Sequence, residues 1–182
     1  YRANATPSTL IADCEALIAE LSGGEKTRFS RRSMSQLWEE HLHIDLDQVL
    51  RQMADGDDVA LVRRLKSAGA HLRQNADFED AFFHVMTTII EPEIGHDGPV
   101  VVDRWPKQLC ALAALCDDDP LYAQRFELYA GGLELANAFF ELRDADEQLR
   151  RFANANRRRR ERGLEDLPIP HSYLADLDRM PP

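Results

Sequence analysis

Residues Arg125–Leu142 read RFELYAGGLELANAFFEL. Phe126, Leu128 and Ala130 alternate with Arg125, Glu127 and Tyr129, the period of a strand with one face buried. Gly131-Gly132 between two such runs predicts a tight hairpin turn. With the glycines as the turn, Glu134 lies opposite Tyr129, and Glu127 is its diagonal neighbour on the same face. Two like charges on one face repel, and a bound cation or solvent has to relieve that. Strict alternation then groups Glu134 with Ala136 and Ala138, and Asn137 with Phe139 and Glu141. Both sets reach one site only if the strand bulges or bends, so a bulge is expected near Ala136–Ala138.

Outward from the hairpin, size and composition set the frame. A chain of 182 residues fits one domain with a real hydrophobic core. Hydrophobic residues make up 44% and charged residues 30%, ordinary values for a soluble protein. The net charge of −10 makes general attraction to nucleic acid unexpected, so such a role would need a local basic patch. Cys14, Cys110 and Cys116 are odd in number and form no CxxC pair, which points to a reducing cytosol and to no zinc site. No apolar run has the length of a membrane span, and no signal peptide is expected. The chain opens on Tyr1 and closes on Pro-Pro, which reads as a piece of a longer protein.

Upstream, the pattern is helical. Thr6-Pro7 opens a helix carrying Leu10, Ile11, Cys14, Leu17, Ile18 and Leu21, and Gly23-Gly24 stops it. Thr27–Ser30 reads as a short strand, and Ser33 caps a helix with Met34, Leu37, Trp38 and His41. Asp45 and Asp47 open the next helix. His41 and His43, two apart, share no helix face and read as surface or interface histidines, with no ligand set around them. Val59–Leu65 forms a helix ending near Gly69, and Asn75 or Asp77 caps one whose stripe is Phe78, Phe82, Val85, Met86 and Ile89. Phe83 and Ile90 broaden that stripe, and Glu91-Pro92 ends it. Pro99–Asp103 is a β-branched strand closed by Trp105-Pro106. Past the hairpin, Asp144 and Glu147 form a capping box for a long helix ending at Gly163, with Leu149 and Phe152 facing in. Its basic run, Arg157–Arg160 with Arg162, is a solvated helix end or a docking site for an acidic macromolecule. One more short helix is expected over Pro170–Leu177.

The hairpin and its sequel, FELYxGGxELANxFxELxDAxEQxxRF, resemble the stretch before the third signature motif of class II lysyl-tRNA synthetases. The likeness is nearest to their short paralogues, the elongation factor P lysine ligases. It continues through Asn156–Gly163 (NRRRRERG) to Met180-Pro181 and runs back, more loosely, to Tyr1. It implies an α+β class II synthetase-like fold, an antiparallel sheet flanked by helices. A helical insertion would occupy about 6–92, and the sheet with the C-terminal helices about 99–182. It implies activation of lysine or (R)-β-lysine with ATP, magnesium as the cation, and transfer to a lysine of elongation factor P. Transfer to tRNA is the first alternative, and a non-catalytic synthetase-like binding module the second. By the same resemblance Glu127 and Glu134 look like magnesium ligands, and Glu134-Leu135 touches the nucleotide. Asn137 helps hold the amino acid, Glu141 receives its side-chain ammonium, and Tyr1 lines the same pocket. The family pairs as a homodimer in the cytoplasm. The chain departs from the pattern at Ala138, where glycine is usual, and at Phe140, where Ser or His is usual. The three signature motifs themselves are absent from these residues, so little activation is expected from the chain alone.

Overall fold

In a computed structural model of the chain, residues 1–22, 28–177 and 179–181 are described. The hairpin is there: β3 (Tyr122–Ala130) and β4 (Leu133–Phe139) turn at Gly131 and Gly132, whose φ angles are +57° and +76°. Positive φ at both central positions is the turn that matches strand twist. Two further strands, β1 (Ser30–Ser33) and β2 (Val100–Pro106), complete a four-stranded sheet in the order β1-β2-β3-β4. β2, β3 and β4 are antiparallel, but β1 runs parallel to β2. The sheet is therefore mixed, a correction to the antiparallel expectation. A parallel neighbour needs a long crossover, and the helical stretch between β1 and β2 supplies it. The strand expected over Thr27–Ser30 starts instead at Ser30, Thr27 lying outside the described residues.

Helices cover both sheet faces. α1 (Pro7–Leu21) lays Ile11 on Val101, Phe126 and Leu128, with Leu10, Cys14 and Ile18 beside them. Its start is set as the sequence implies, by the Thr6 hydroxyl accepting from the Thr9 N–H and by Pro7 in the first turn. The stop expected at Gly23-Gly24 lies outside the described residues. On the other face α2 (Met34–Leu42), α3 (Leu46–Ala54), α4 (Ala60–Ser67) and α5 (Phe78–Val85) build the main core with Val102, Trp105 and Tyr129. β3 is thus buried on both faces over Phe126–Tyr129, where alternation suggested one. Ser33, Asp45 and Asp77 cap their helices through side-chain oxygens.

Two local readings change. After α5 the chain widens into a π-helical turn over Met86–Ile90, which shifts the stripe by one residue. Ile90 is fully buried, while Ile89 and Phe83 are each 37% exposed. In α6 (Ala145–Glu161) Leu149 is 40% exposed, and Gln148 and Asn156 face inward instead. Gln148 donates to the Ala111 carbonyl, and Asn156 exchanges two hydrogen bonds with the Leu167 backbone. A stripe judged by hydrophobicity misses side chains buried to satisfy backbone. Asp144 caps α6, but Glu147 gives no return bond and pairs with Arg150 and Arg151. α7 (His171–Leu177) follows as expected.

Candidate functional site

The hairpin register decides which side chains meet. Tyr129 pairs with Glu134, Leu128 with Ala136 and Glu127 with Asn137. Between the first two pairs β4 advances by two residues and β3 by one, so Leu135 is a bulge. A break was expected just beyond this point, near Ala136–Ala138; it falls one residue earlier, and Ala138 pairs regularly with Phe126. Its effect is the expected one. Glu134 and Asn137, an odd number apart, share a face with Glu127 and Tyr129.

Glu127 is the centre of that face and is only 2% exposed. Its Oε1 accepts from Arg125 at 2.5 Å and from Asn137 Nδ2 at 2.8 Å, and its Oε2 accepts from the Tyr129 hydroxyl. Burial pushes the Glu127 carboxyl up to about 7, against the pull of Tyr129 and Arg125. Arg125 is itself fixed: its guanidinium lies 4.3 Å from the centroid of the Trp105 ring and also donates to the Leu109 carbonyl. Burial, then the Glu127 charge, raises the Tyr129 phenol, which keeps it a donor at neutral pH.

A third carboxylate joins from the helical side. The backbone after α5 docks on the turn, Gly131 N–H donating to the Gly95 carbonyl at 2.8 Å and Gly132 N–H to that of Ile94 at 2.9 Å. Glu91 is thereby brought to the acidic face. Burial first, then the Glu134 charge, raises its carboxyl, and the nearby Tyr129 hydroxyl opposes them. Glu91 reads as a helix exit in the sequence and gives no hint of this place. Arg125 could have been read from its position two residues before Glu127.

Glu134, Leu135 and Asn137 are exposed, so the face is an open surface and not the closed hollow that converging acids suggest. Magnesium takes oxygen ligands, and this donor set offers them. Glu134 is open to such an ion. Both oxygens of Glu127 are already engaged, so it meets a cation directly only if Arg125, Asn137 or Tyr129 lets go. Among the described residues no group of three or more His, Cys, Asp or Glu side chains is arranged to hold a metal ion.

Glu141 lies two residues beyond the end of β4, bridged to Ala113. The Tyr1 hydroxyl donates to its Oε1 at 2.5 Å. Two residues 140 apart in sequence, singled out for one pocket, are therefore in contact. The hydrogen bond to Glu141, and then its charge, raise the Tyr1 phenol.

The chain is also similar to known proteins. Over 136 residues the chain is 35% identical to proteins named elongation factor P–(R)-β-lysine ligase from Yersinia enterocolitica, Yersinia pestis and Yersinia pseudotuberculosis. The alignment covers 74% of this chain and 41% of each relative. This chain is a homologue of those ligases. It spans about two fifths of the length of the curated relatives it matches. No protein-family model matches the chain. The relationship bears out the resemblance read from the hairpin, and in the register Leu135 is the bulge that brings Asn137 to the face of Glu127 and Glu134.

Proposed function

We propose that this chain is part of an ATP-dependent ligase that activates lysine or (R)-β-lysine as its adenylate and passes the acyl group to a lysine of elongation factor P. One observation carries the reading. The bulged hairpin sets Glu127, Glu134 and Asn137 on one face, and the same strand runs on to Glu141, held by Tyr1. Homology to proteins bearing the ligase name supports it.

In this reading Glu141 accepts the side-chain ammonium of the amino acid. A carboxylate facing an ammonium forms a charge-assisted bond that a neutral side chain cannot replace. Tyr1 holds that carboxylate in one orientation. Asn137 ties Glu127 to β4, and Glu134 with Leu135 faces the nucleotide. Magnesium, when bound, offsets the charge of the phosphates, with Glu134 as its open ligand and Glu127 behind it. The mixed sheet then belongs to a class II synthetase-like catalytic domain, of a protein that pairs with itself and works in the cytoplasm.

The test is mass spectrometry of elongation factor P after incubation with ATP, either lysine isomer and the intact protein that carries this chain. A lysyl or β-lysyl adduct on one lysine is the expected product. Charged tRNA with an unmodified factor would move the reading to a lysyl-tRNA synthetase. Neither product would leave a non-catalytic binding module.

A further inference from the structure

α4 separates two grooves that no part of the ligase reading uses. One, of about 220 Å³, lies between α3 and α4, where Gln48, Gln52, Arg63 and Arg64 wall a floor of Val49 and Ala60. The other, of about 500 Å³, lies between α4 and the segment leading to α5, where Arg63, Lys66 and Gln74 surround Val59, Val62 and Ala76. Arg63 and Ser67, one turn apart, line both grooves and form the ridge between them. α4 carries Arg63, Arg64 and Lys66 and no acid. Arg63 meets Asp57, but among the described residues Arg64 and Lys66 enter no ion pair, and both are exposed.

The dipole of α4 favours cations in its last turn, which accounts for Arg64 and Lys66 being there. It does not account for the apolar floors beside them, and Val59 is 56% exposed in the larger groove. Cationic walls over an apolar floor match a guest with carboxylates beside an apolar stripe, the pattern of an acidic amphipathic helix. Arginine takes a carboxylate on two parallel N–H donors. A nucleic acid fits less well, because it needs a basic track for its phosphates and rings on which its bases stack. Among the described residues no aromatic side chain lines either groove. A lipid surface takes apolar residues that protrude, whereas these lie in concavities. We infer that the two grooves astride α4 dock an acidic, amphipathic segment of a partner protein. Its carboxylates meet Arg63, Arg64 and Lys66, and its apolar side chains lie on Val59 and Val62.

This inference is independent of the ligase reading. Its test is fluorescence anisotropy with the intact protein that carries this chain, using a labelled helical peptide of Leu, Ala and Glu. The same peptide with Gln for Glu, the same with Ser for Leu, and a single-stranded RNA of equal net charge are the comparisons. The Glu–Leu peptide should bind, and each comparison should bind clearly more weakly. Arg64→Glu with Lys66→Glu should weaken the peptide about tenfold, since like charges then face each other. Val59→Ser, a residue suited to the N-cap position that Val59 holds, should weaken it about threefold through lost apolar contact. Arg157→Glu with Arg158→Glu on α6 changes the net charge equally and should leave the affinity as it is. All five side chains are exposed, so each variant should melt near the wild-type Tm. No binding of the Glu–Leu peptide, equal losses in the α4 and α6 variants, or RNA bound as tightly as the peptide would each overturn the inference.

Discussion

Glu127 is a carboxylate that the fold has taken out of water and then surrounded with donors. Its carboxyl titrates at about 7 when folded, against an ordinary value of 4.5. The folded chain therefore holds this proton in a pH range where the unfolded chain has lost it. Stability from this group is fully present below 4.5 and is lost as pH rises through 7. The raised Glu91 carboxyl acts in the same direction. Asp57, Asp80 and Asp118, held low chiefly by hydrogen bonds from Arg63, Arg73 and Arg104, act in the opposite sense but only below the usual carboxylate range. Thermal melts between pH 5 and pH 7.5 should thus show Tm falling as pH rises, and Glu127→Gln should flatten most of that slope. A slope unchanged in Glu127→Gln would show that Glu127 is ionised throughout. That Glu127 and Asn137 meet was legible only through the expected bulge, because parity from the two glycines alone puts Asn137 on the opposite face. Their donors were less so, because Arg125 reaches Glu127 from a position fixed by stacking on Trp105, across a second irregularity at Arg104.

At the scale of elements, the turn and the helix exit that docks on it act as one unit. A Cβ on Gly95 would lie 2.8 Å from the Ala130 Cα, whereas one on Gly56 would meet nothing within 4 Å. Both residues have positive φ, so alanine is strained at either position, by about 1 kcal/mol. Only Gly95→Ala must also push the hairpin away. Urea unfolding should show it losing clearly more stability than Gly56→Ala, and equal losses would mean that the hairpin yields freely. Asp77 gives a second comparison. It caps α5 and also pairs with Arg162 beyond α6, in an ion pair about half exposed on each side. The cap should dominate: Asp77→Ala should cost about 1 kcal/mol, Arg162→Ala within about 0.5 kcal/mol of nothing. Equal losses in denaturant titrations would assign the effect to the ion pair. Caps were readable because a cap is a contact between residues three apart. The π-helical turn at Met86–Ile90 was not, since widening a helix by one residue leaves no mark in periodicity until the core selects Ile90 over Ile89. The parallel course of β1 was hidden for a like reason, β1 and β2 being separated by the whole α2–α5 stretch.

Over the whole molecule, an acidic chain of net charge −10 places its arginines against its own acids. In the basic run Arg157 pairs with Glu161, Arg160 with Asp166 and Arg162 with Asp77, while Arg159 donates to the Glu165 carbonyl. Of the two readings of that run, this pairing favours a solvated helix end. The acidic face stands apart. Glu91, Glu127 and Glu134 meet around one phenol with Arg125 as the cation among them, an excess of negative charge that suits a cationic guest. A ladder of rings, Trp38 on Phe82 at 5.2 Å and Phe82 near Trp105 at 5.9 Å, carries the helical core to Arg125 and so holds that face in place. The central claim is that the strand through this face ends in a site for an amine-bearing amino acid. Its most direct test is ATP–pyrophosphate exchange by the intact protein with lysine, (R)-β-lysine and the neutral isostere norleucine, in the wild type and in Glu141→Gln. The account predicts exchange with an amine-bearing substrate, none with norleucine, and loss of that preference in Glu141→Gln. Exchange that ignores the amine, or that keeps its preference without the Glu141 carboxylate, would contradict it.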